Sequence, residues 1–407
     1  MKCGLLGEKL SHSYSPAIHA RLAGYEYLLY EKRPDELEDF LLHGSWDGLN
    51  VTIPYKKAVV PYCTELSATA RRCGSVNTLL RLPGGGLRGE NTDADGFSYL
   101  LRGCGFDPAG KKAVILGSGG AAATARAVLA ERGAAEIVTV SRSGRDNYEN
   151  LSRHFDAQLV VNATPVGMYP RNGEAVCSLA PFRRCEAAAD LIYNPARSAF
   201  LMQAEAMGIP HANGLGMLVA QARRSSELFL GTPITDAEIG RVEAELSREM
   251  QNVVLIGMPG CGKSTVGALL AAAAGRELCE ADAIIEREAG MDIPEIFRRG
   301  GEEEFRARER AVLTQLGKLS GAVIATGGGC VTREENYPLL HQNSVIVWLQ
   351  RDLGKLPKEG RPLSLAGSLE DMFERRRPLY ERFCDLAVSN DGTPDQTVRA
   401  ILDAIGP

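Results

Sequence analysis

The amino-acid sequence predicts an α/β protein with mostly parallel sheets, divided into more than one unit. Short β-rich runs alternate with helical patterns along the whole chain, the order that lays helices over parallel strands. Two of these strands lead directly into glycine-rich turns, at Gly117 and Gly257, and each turn opens a helix. The chain has 407 residues, more than one hydrophobic core usually serves, so two or three compact units are expected.

Composition narrows the function classes. Hydrophobic residues make up 44%, enough for full-sized cores. The net charge of -5, with no long basic run, argues against nucleic-acid binding. No apolar run reaches the roughly 18 residues of a membrane helix. The opening MKCGLLGEKL lacks the basic-then-apolar order of a signal peptide. Ten cysteines contain no CxxC pair, and six histidines show no metal-ligand spacing. They read as reduced thiols in a cytoplasmic protein without structural metal. Oligomeric state is not legible.

Residues 1 to about 105 alternate short helices with strands expected at Cys3–Leu6, Tyr25–Tyr30 and Gly48–Ile53. In His12-Ser13-Tyr14-Ser15-Pro16, two hydroxyls precede a proline able to start a helix. Such hydroxyls either hold a ligand carboxylate beside helix N–H groups or cap the helix, and the motif alone does not choose. Asn50-Val51-Thr52-Ile53-Pro54-Tyr55-Lys56, Ser75-Val76-Asn77-Thr78 and Asn91-Thr92-Asp93 each close an expected strand. Open α/β sheets bind ligands at such strand ends. The cation, carboxylate, amides and hydroxyls gathered there suit a small acid bearing several hydroxyls.

Residues 106–213 begin with the expected strand Ala113–Leu116 and the turn Gly117-Ser118-Gly119-Gly120-Ala121-Ala122. The spacing fits G-x-G-x-x-A, in which Gly117, Gly119, Gly120 and Ala121 let backbone approach a pyrophosphate at a helix N-terminus. The next strand, Glu136–Val140, ends in Ser141-Arg142-Ser143-Gly144-Arg145. An NAD site would place an acid there. Arg142 and Ser143 suit a 2′-phosphate instead, so NADP is favoured, with a solvated basic loop as the alternative.

Two helical patterns follow, about 214–230 and from Thr235 to about Glu249, the second opening on a capping-box sequence, Thr235–Glu238. The next strand, Val253–Ile256, begins within about four residues, so the parts on either side should be closely joined. It leads into Gly257-Met258-Pro259-Gly260-Cys261-Gly262-Lys263-Ser264, a complete G-x-x-x-x-G-K-S P-loop. Gly260, Gly262 and Thr265 would help cradle nucleotide phosphates, Lys263 would reach the β- and γ-phosphates, and Ser264 would ligate Mg2+. ATP and Mg2+ are the cofactors expected here.

Residues 1 to about 250 resemble shikimate dehydrogenases. The motifs above carry the resemblance, with Asn162–Met168, Asp190-Leu191-Ile192-Tyr193-Asn194-Pro195 and Gly214–Gln221. It implies a substrate-binding domain over 1–105, completed by the helices of 214–250, and a Rossmann-type NADP domain over 106–213. It also implies that Lys56 and Asp93 are catalytic, and that Ser13, Ser15, Thr52, Asn77, Asp93 and Gln221 bind substrate. Tyr193, Gly214 and Met217 would lie near the nicotinamide. The chain departs from the family's pattern in carrying Arg145 one position early after Arg142.

Residues 252–407 resemble shikimate kinases through Asp282, Glu304-Phe305-Arg306, Glu309, Gly327-Gly328-Gly329, Arg361-Pro362-Leu363 and Arg376–Tyr380. The resemblance implies that Asp282 binds substrate hydroxyls and accepts a proton, and that Arg306 and Arg376 clamp a carboxylate. Gly328 would approach the substrate ring, and Arg361, in a lid, would neutralise the transferred phosphoryl group. Glu280 stands where the family has aspartate, as a metal-side carboxylate, and the lid is a few residues short. Together the two resemblances imply reduction of 3-dehydroshikimate to shikimate with NADPH, then phosphorylation of shikimate to shikimate 3-phosphate. The partners implied are these small molecules alone, with no nucleic acid and no membrane.

Overall fold

The computed structural model describes residues 1–10, 13–356 and 368–406. By contact the chain groups into two compact units. The first comprises 1–168, 174–193 and 200–245; the second comprises 169–173, 194–199 and 246–407. Residues 194–199 group with the second unit because Arg197 binds there: its Nη1 donates to the carbonyls of His341 (2.9 Å) and Ser344 (3.2 Å).

The first unit holds two sheets. One has six strands in the order Glu26–Glu31, Lys2–Gly7, Gly48–Val51, Thr78–Arg81, Leu87–Glu90 and Glu65–Leu66. Its first three strands are parallel. Thr78–Arg81 is antiparallel to both neighbours; five residues, Leu82–Gly86, join it to Leu87–Glu90, and so short a link permits only a hairpin on that side. Strand Gly48–Val51 ends two residues before its expected limit: Tyr55 N donates to Thr52 O (2.9 Å), so the chain turns at Thr52 and carries Lys56 round the sheet edge.

The second sheet of this unit is wholly parallel, in the order His211–Ala212, Ala187–Asp190, Leu159–Asn162, Lys112–Leu116 and Glu136–Val140. Both faces are covered, so the central residues of its strands are apolar on both sides. Ala113 and Ile115 pack on one face with Phe97, Ala125 and Leu129; Val114 and Leu116 pack on the other with Phe182, Phe200 and Leu201.

The second unit is built on a third parallel sheet, ordered Leu278–Glu280, Val323–Ala325, Asn252–Ile256, Ser344–Gln350 and Leu386–Ser389. Helix Asp236–Met250 ends one residue before strand Asn252–Ile256, which makes the junction as short as expected. The Glu238 carboxylate at that helix start takes Arg241 (2.7 Å). Helix Ile293–Leu316 breaks at Gly301, whose φ of 71° is non-helical. Among the described residues no helix is long and apolar enough to cross a membrane.

Candidate active sites

A cavity of about 570 Å³ opens in the first unit beyond the carboxyl ends of Lys2–Gly7 and Gly48–Val51. Lys56 enters it from the turn after Gly48–Val51, its backbone anchored by Val76 N donating to Lys56 O (2.8 Å). Asp93, the first residue of helix Asp93–Gly103, faces it from across the sheet end. Lys56 Nζ donates to Asp93 Oδ2 at 2.6 Å, and the two side chains are 25% and 12% exposed. Asn77 Nδ2 holds the other oxygen, Asp93 Oδ1, at 2.9 Å. An ammonium fixed beside a carboxylate and open to a cavity is equipped to deliver a proton to an oxygen bound there.

Ser13, Ser15, Thr52, Asn77 and Gln221 line the same cavity. Ser13 Oγ accepts from Ser15 N (3.2 Å) and keeps its own proton to donate. Tyr14 gives helix Ser15–Leu22 no side-chain cap, and the bond from Ser15 N makes Ser13 a cap of that helix start, while both serines also line the cavity. His12 lies outside the described residues.

On the other wall stand Ala121, Tyr193, Gly214 and Met217. Ala121 belongs to the helix Gly120–Glu131 that opens at the glycine turn. Gly117 has φ 115°, and a Cβ there would lie 2.8 Å from the Ala163 carbonyl oxygen, so only glycine fits. A Cβ on Gly119 or Gly120 would meet nothing within 4 Å. The helix start therefore offers open, unoccupied backbone to a pyrophosphate. Arg142, Ser143 and Arg145 are exposed on the loop after Glu136–Val140, away from the cavity wall. That loop is closed by Ser141 N donating to Asp146 O (3.1 Å). The Asp146 carboxylate is taken up by His154 Nε2 (3.1 Å). Tyr193 packs edge-on against Tyr14 at 5.8 Å, and burial raises its pKa, keeping the phenol neutral.

A second cavity, of about 530 Å³, opens in the second unit along the P-loop and is lined by Gly260, Gly262, Lys263, Ser264 and Thr265. Gly262 has φ 100°, and a Cβ there would lie 2.6 Å from Asn390 Nδ2. Lys263 Nζ donates to the carbonyls of Gly257 (2.9 Å) and Met258 (3.1 Å), folded against the loop that would hold phosphates. Asp282, Arg306, Gly328 and Arg376 line the same cavity. Arg306 is 5% exposed, and its Nη1 donates to Glu309 Oε2 at 2.8 Å. Burial pushes the Glu309 carboxyl up, against the pull of Arg306. Arg376 Nη1 donates to the Gly328 carbonyl (3.0 Å), which also accepts from Tyr380 OH (2.5 Å). The glycine run is thus held between two donors.

Two expectations fare differently. Glu280 ends its strand one residue before helix Ala281–Ala289 without a side-chain bond to the helix start, and it is not on the cavity wall, where Ser264 is. The described residues contain no group of three acids, histidines or cysteines that could hold a metal ion. Arg361 and the lid sequence 357–360 lie outside the described residues.

Several wall residues were not singled out from sequence. In the first cavity they include Leu5, Lys9 and Leu10. In the second they include Phe297, Thr326 and Arg351. Arg351 directly follows strand Ser344–Gln350, and its place at a parallel strand's carboxyl end was the available signal. Phe297 stacks on Phe305 at 4.8 Å, and ordinary helix amphipathicity hides its role.

The family model described as shikimate dehydrogenase substrate binding domain matches residues 5–79, and that described as shikimate kinase matches residues 259–406. A shikimate dehydrogenase (NADP(+)) of Methanopyrus kandleri is 39% identical over 261 residues, 56% of this chain and 89% of the relative. One from Halothermothrix orenii is 35% identical over 263 residues, 56% of this chain and 90% of the relative. A Thermus thermophilus shikimate 5-dehydrogenase, solved in complex with NADP(H) and shikimate, aligns at TM-score 0.55 and 29% identity, over 60% of this chain and 99% of that one. A chorismate mutase/shikimate 5-dehydrogenase fusion protein from Clostridium acetobutylicum aligns at TM-score 0.57 and 35% identity, over 60% of this chain and 96% of that one.

Proposed function

Since the chain belongs to the shikimate dehydrogenase family and carries a shikimate kinase domain, we propose that it catalyses two consecutive reactions. The first reduces 3-dehydroshikimate to shikimate with NADPH, and the second phosphorylates shikimate to shikimate 3-phosphate with ATP and Mg2+. The place this gives the chain is in chorismate and aromatic amino-acid biosynthesis. The observation that carries the reading is the pairing of sites. The Lys56–Asp93 pair at 2.6 Å faces one cavity, and a P-loop with Lys263, Arg306 and Arg376 lines another.

In the first site Ser13 and Ser15 hold the substrate carboxylate, while Asn77, Gln221 and Thr52 hold its hydroxyls. Bound NADPH supplies the hydride, and Ala121, Tyr193, Gly214 and Met217 place it on the far wall. Lys56 gives a proton to the ketone oxygen as negative charge develops there, and Asp93, fixed by Asn77, aims it. In the second site Arg306 and Arg376 hold the carboxylate as paired planar donors. Asp282 takes the proton of the hydroxyl that attacks. Lys263 and the N-terminus of helix Lys263–Ala274 neutralise the phosphates.

By this reading residues 1–105 with the helices of 214–250 form the dehydrogenase substrate domain, 106–213 the NADP domain and 252–407 the kinase. The partners are small molecules, and the compartment is the cytoplasm, where ten free thiols persist.

The test is a single mixture of the purified chain with 3-dehydroshikimate, NADPH, ATP and Mg2+, followed for NADPH loss, ADP and product mass. Shikimate 3-phosphate with both nucleotides consumed is the expected result. Shikimate with ATP untouched would refute the second activity. NADP selectivity has its own expected outcome. Arg142 is exposed and in no salt bridge among the described residues, so its charge is available to a 2′-phosphate. Arg142→Ala raises the KM for NADPH about tenfold, the worth of one charge-assisted contact, and leaves the KM for NADH unchanged. Equal changes for the two would refute its role.

A further inference from the structure

We propose that Ser225 is a positioning residue for the reduction. Its hydroxyl is the buried junction through which helix Gly214–Leu230 fixes the Asn77 amide and, through it, the Lys56–Asp93 pair. The proposal rests on the reading of that pair as the proton donor and its orienter.

Ser225 is 0% exposed. Its Oγ lies 2.7 Å from Asn50 Nδ2, 3.0 Å from Thr78 Oγ1, 3.0 Å from Thr92 Oγ1 and 3.0 Å from the Gln221 carbonyl oxygen. One side chain from the helix thus meets three sheet-end segments: the strand of Asn50, the strand of Thr78 and the turn of Thr92. A hydroxyl has one proton and two lone pairs, so the direction of each bond can be worked out.

Tyr27 OH donates to Asn50 Oδ1 (2.8 Å), which fixes Asn50 Nδ2 as the end facing Ser225 and Thr78. Ser225 gives its proton to the Gln221 carbonyl and accepts from Asn50 and Thr92. Thr78, having accepted from Asn50, donates to Asn77 Oδ1 at 3.1 Å. That oxygen also accepts from Thr92 N at 2.7 Å. The Asn77 amide can then face only one way, with Nδ2 donating to Asp93 Oδ1 (2.9 Å) and Thr92 Oγ1 (3.0 Å). Asp93 Oδ2 is left for Lys56. The bonds run from Tyr27 through Asn50 and Thr78 to Asn77, whose amide protons go to Asp93 and Thr92. Thr92 in turn donates to Ser225 and Ser225 to the Gln221 carbonyl, which leaves the Ser225–Thr78 approach a contact between two oxygens. A buried network so satisfied holds one arrangement, and removing a member frees others.

Without the Ser225 hydroxyl, Thr92 OH turns to Asn77 Oδ1 (3.3 Å), Thr78 Oγ1 (3.4 Å) or Gln221 Oε1 (3.5 Å). The first competes with Thr78 for the Asn77 oxygen, and the second disturbs Thr78, which donates to it. Splitting Thr92 among these long bonds loosens the group that orients Asp93 without touching the dinucleotide wall.

Ser226 provides the control. It is the next residue, equally buried, but its hydroxyl serves Tyr25 OH (2.7 Å) and His19 Nδ1 (3.1 Å), away from the cavity. The experiment compares Ser225→Ala, Ser225→Thr and Ser226→Ala in the full chain, with steady-state reduction of 3-dehydroshikimate and, in the same preparations, phosphorylation of shikimate. Ser225→Ala is expected to lower kcat for reduction about tenfold, as misplacement of a reacting group does, with the KM for NADPH and the kinase rate unchanged. Ser225→Thr restores at least half of kcat, and Ser226→Ala stays within about twofold of wild type. A Ser225→Ala kcat within about twofold of wild type, or an equal fall in Ser226→Ala, overturns the proposal. No reduction by the wild-type chain would instead overturn the reading of the site itself.

Discussion

Lys56→Ala lowers the rate of 3-dehydroshikimate reduction by about 10²–10⁴-fold, the range a positioned general acid supplies, and leaves phosphorylation of shikimate by the same chain unchanged. The alkoxide formed as the ketone is reduced needs a proton in step with the incoming hydride, and Lys56 Nζ is the cavity ammonium held at 2.6 Å from a carboxylate. Alanine leaves water to do this work. The loss falls on kcat and kcat/KM together, because the interaction belongs to the transition state. Asp93 keeps its bond from Asn77 Nδ2 (2.9 Å) in the variant, so the substrate wall persists and KM moves little. Stopped-flow NADPH absorbance alongside a coupled ADP assay reads both activities in one preparation. A reduction rate within about tenfold of wild type would remove Lys56 from the chemistry, and a parallel loss of kinase activity would mean misfolding rather than a missing proton donor.

What sequence made legible follows from how locally each feature is determined. The glycine turn at 117 and the P-loop at 257 were readable because strand, turn and helix succeed one another within a dozen residues, and the steric reason for each glycine is local. The strand Glu136–Val140 and the helix Gly214–Leu230 have the bounds their patterns implied. Strand Gly48–Val51 was overextended because Thr52 and Ile53 have high β propensity, whereas the chain must turn at Thr52 to bring Lys56 to the cavity. The antiparallel Thr78–Arg81 was also missed amid a parallel pattern, although Leu82-Pro83-Gly84-Gly85-Gly86 is a turn sequence.

The candidate site divides in the same way. Residues inside contiguous motifs, such as Ser13, Lys56, Asp93 and Lys263, line the cavities. Glu280 does not, since its motif position fixes chain order and not the direction of a side chain. Lys9 and Ser225 gave no signal at all: one is a lysine in an exposed turn, the other a serine on a helix whose charged neighbours Arg223 and Arg224 suggest a solvent face. Their roles depend on which strands meet them, and that is a property of the tertiary fold.

Lys263→Ala abolishes phosphoryl transfer to within detection, by about 10²–10³-fold or more, the cost of removing a preorganised charge from a developing anionic site. Reduction of 3-dehydroshikimate is unaffected, because Lys263 and the Lys56–Asp93 pair belong to different compact units. Lys263 is 9% exposed, and its ammonium satisfies the carbonyls of Gly257 and Met258. The P-loop therefore already holds its cation where phosphates would lie, and exchange of those two carbonyls for phosphate oxygens needs little movement of the stem. Lys263→Met keeps the stem and its packing while removing the charge, so it separates electrostatics from folding. Both variants should fail equally in ADP formation while consuming NADPH at the wild-type rate and accumulating shikimate. Retention of phosphoryl transfer in Lys263→Met would show that the charge is dispensable and that Arg306, Arg376 and the helix N-terminus carry the site. Loss of NADPH oxidation in either variant would show that the two activities are not separable in this chain.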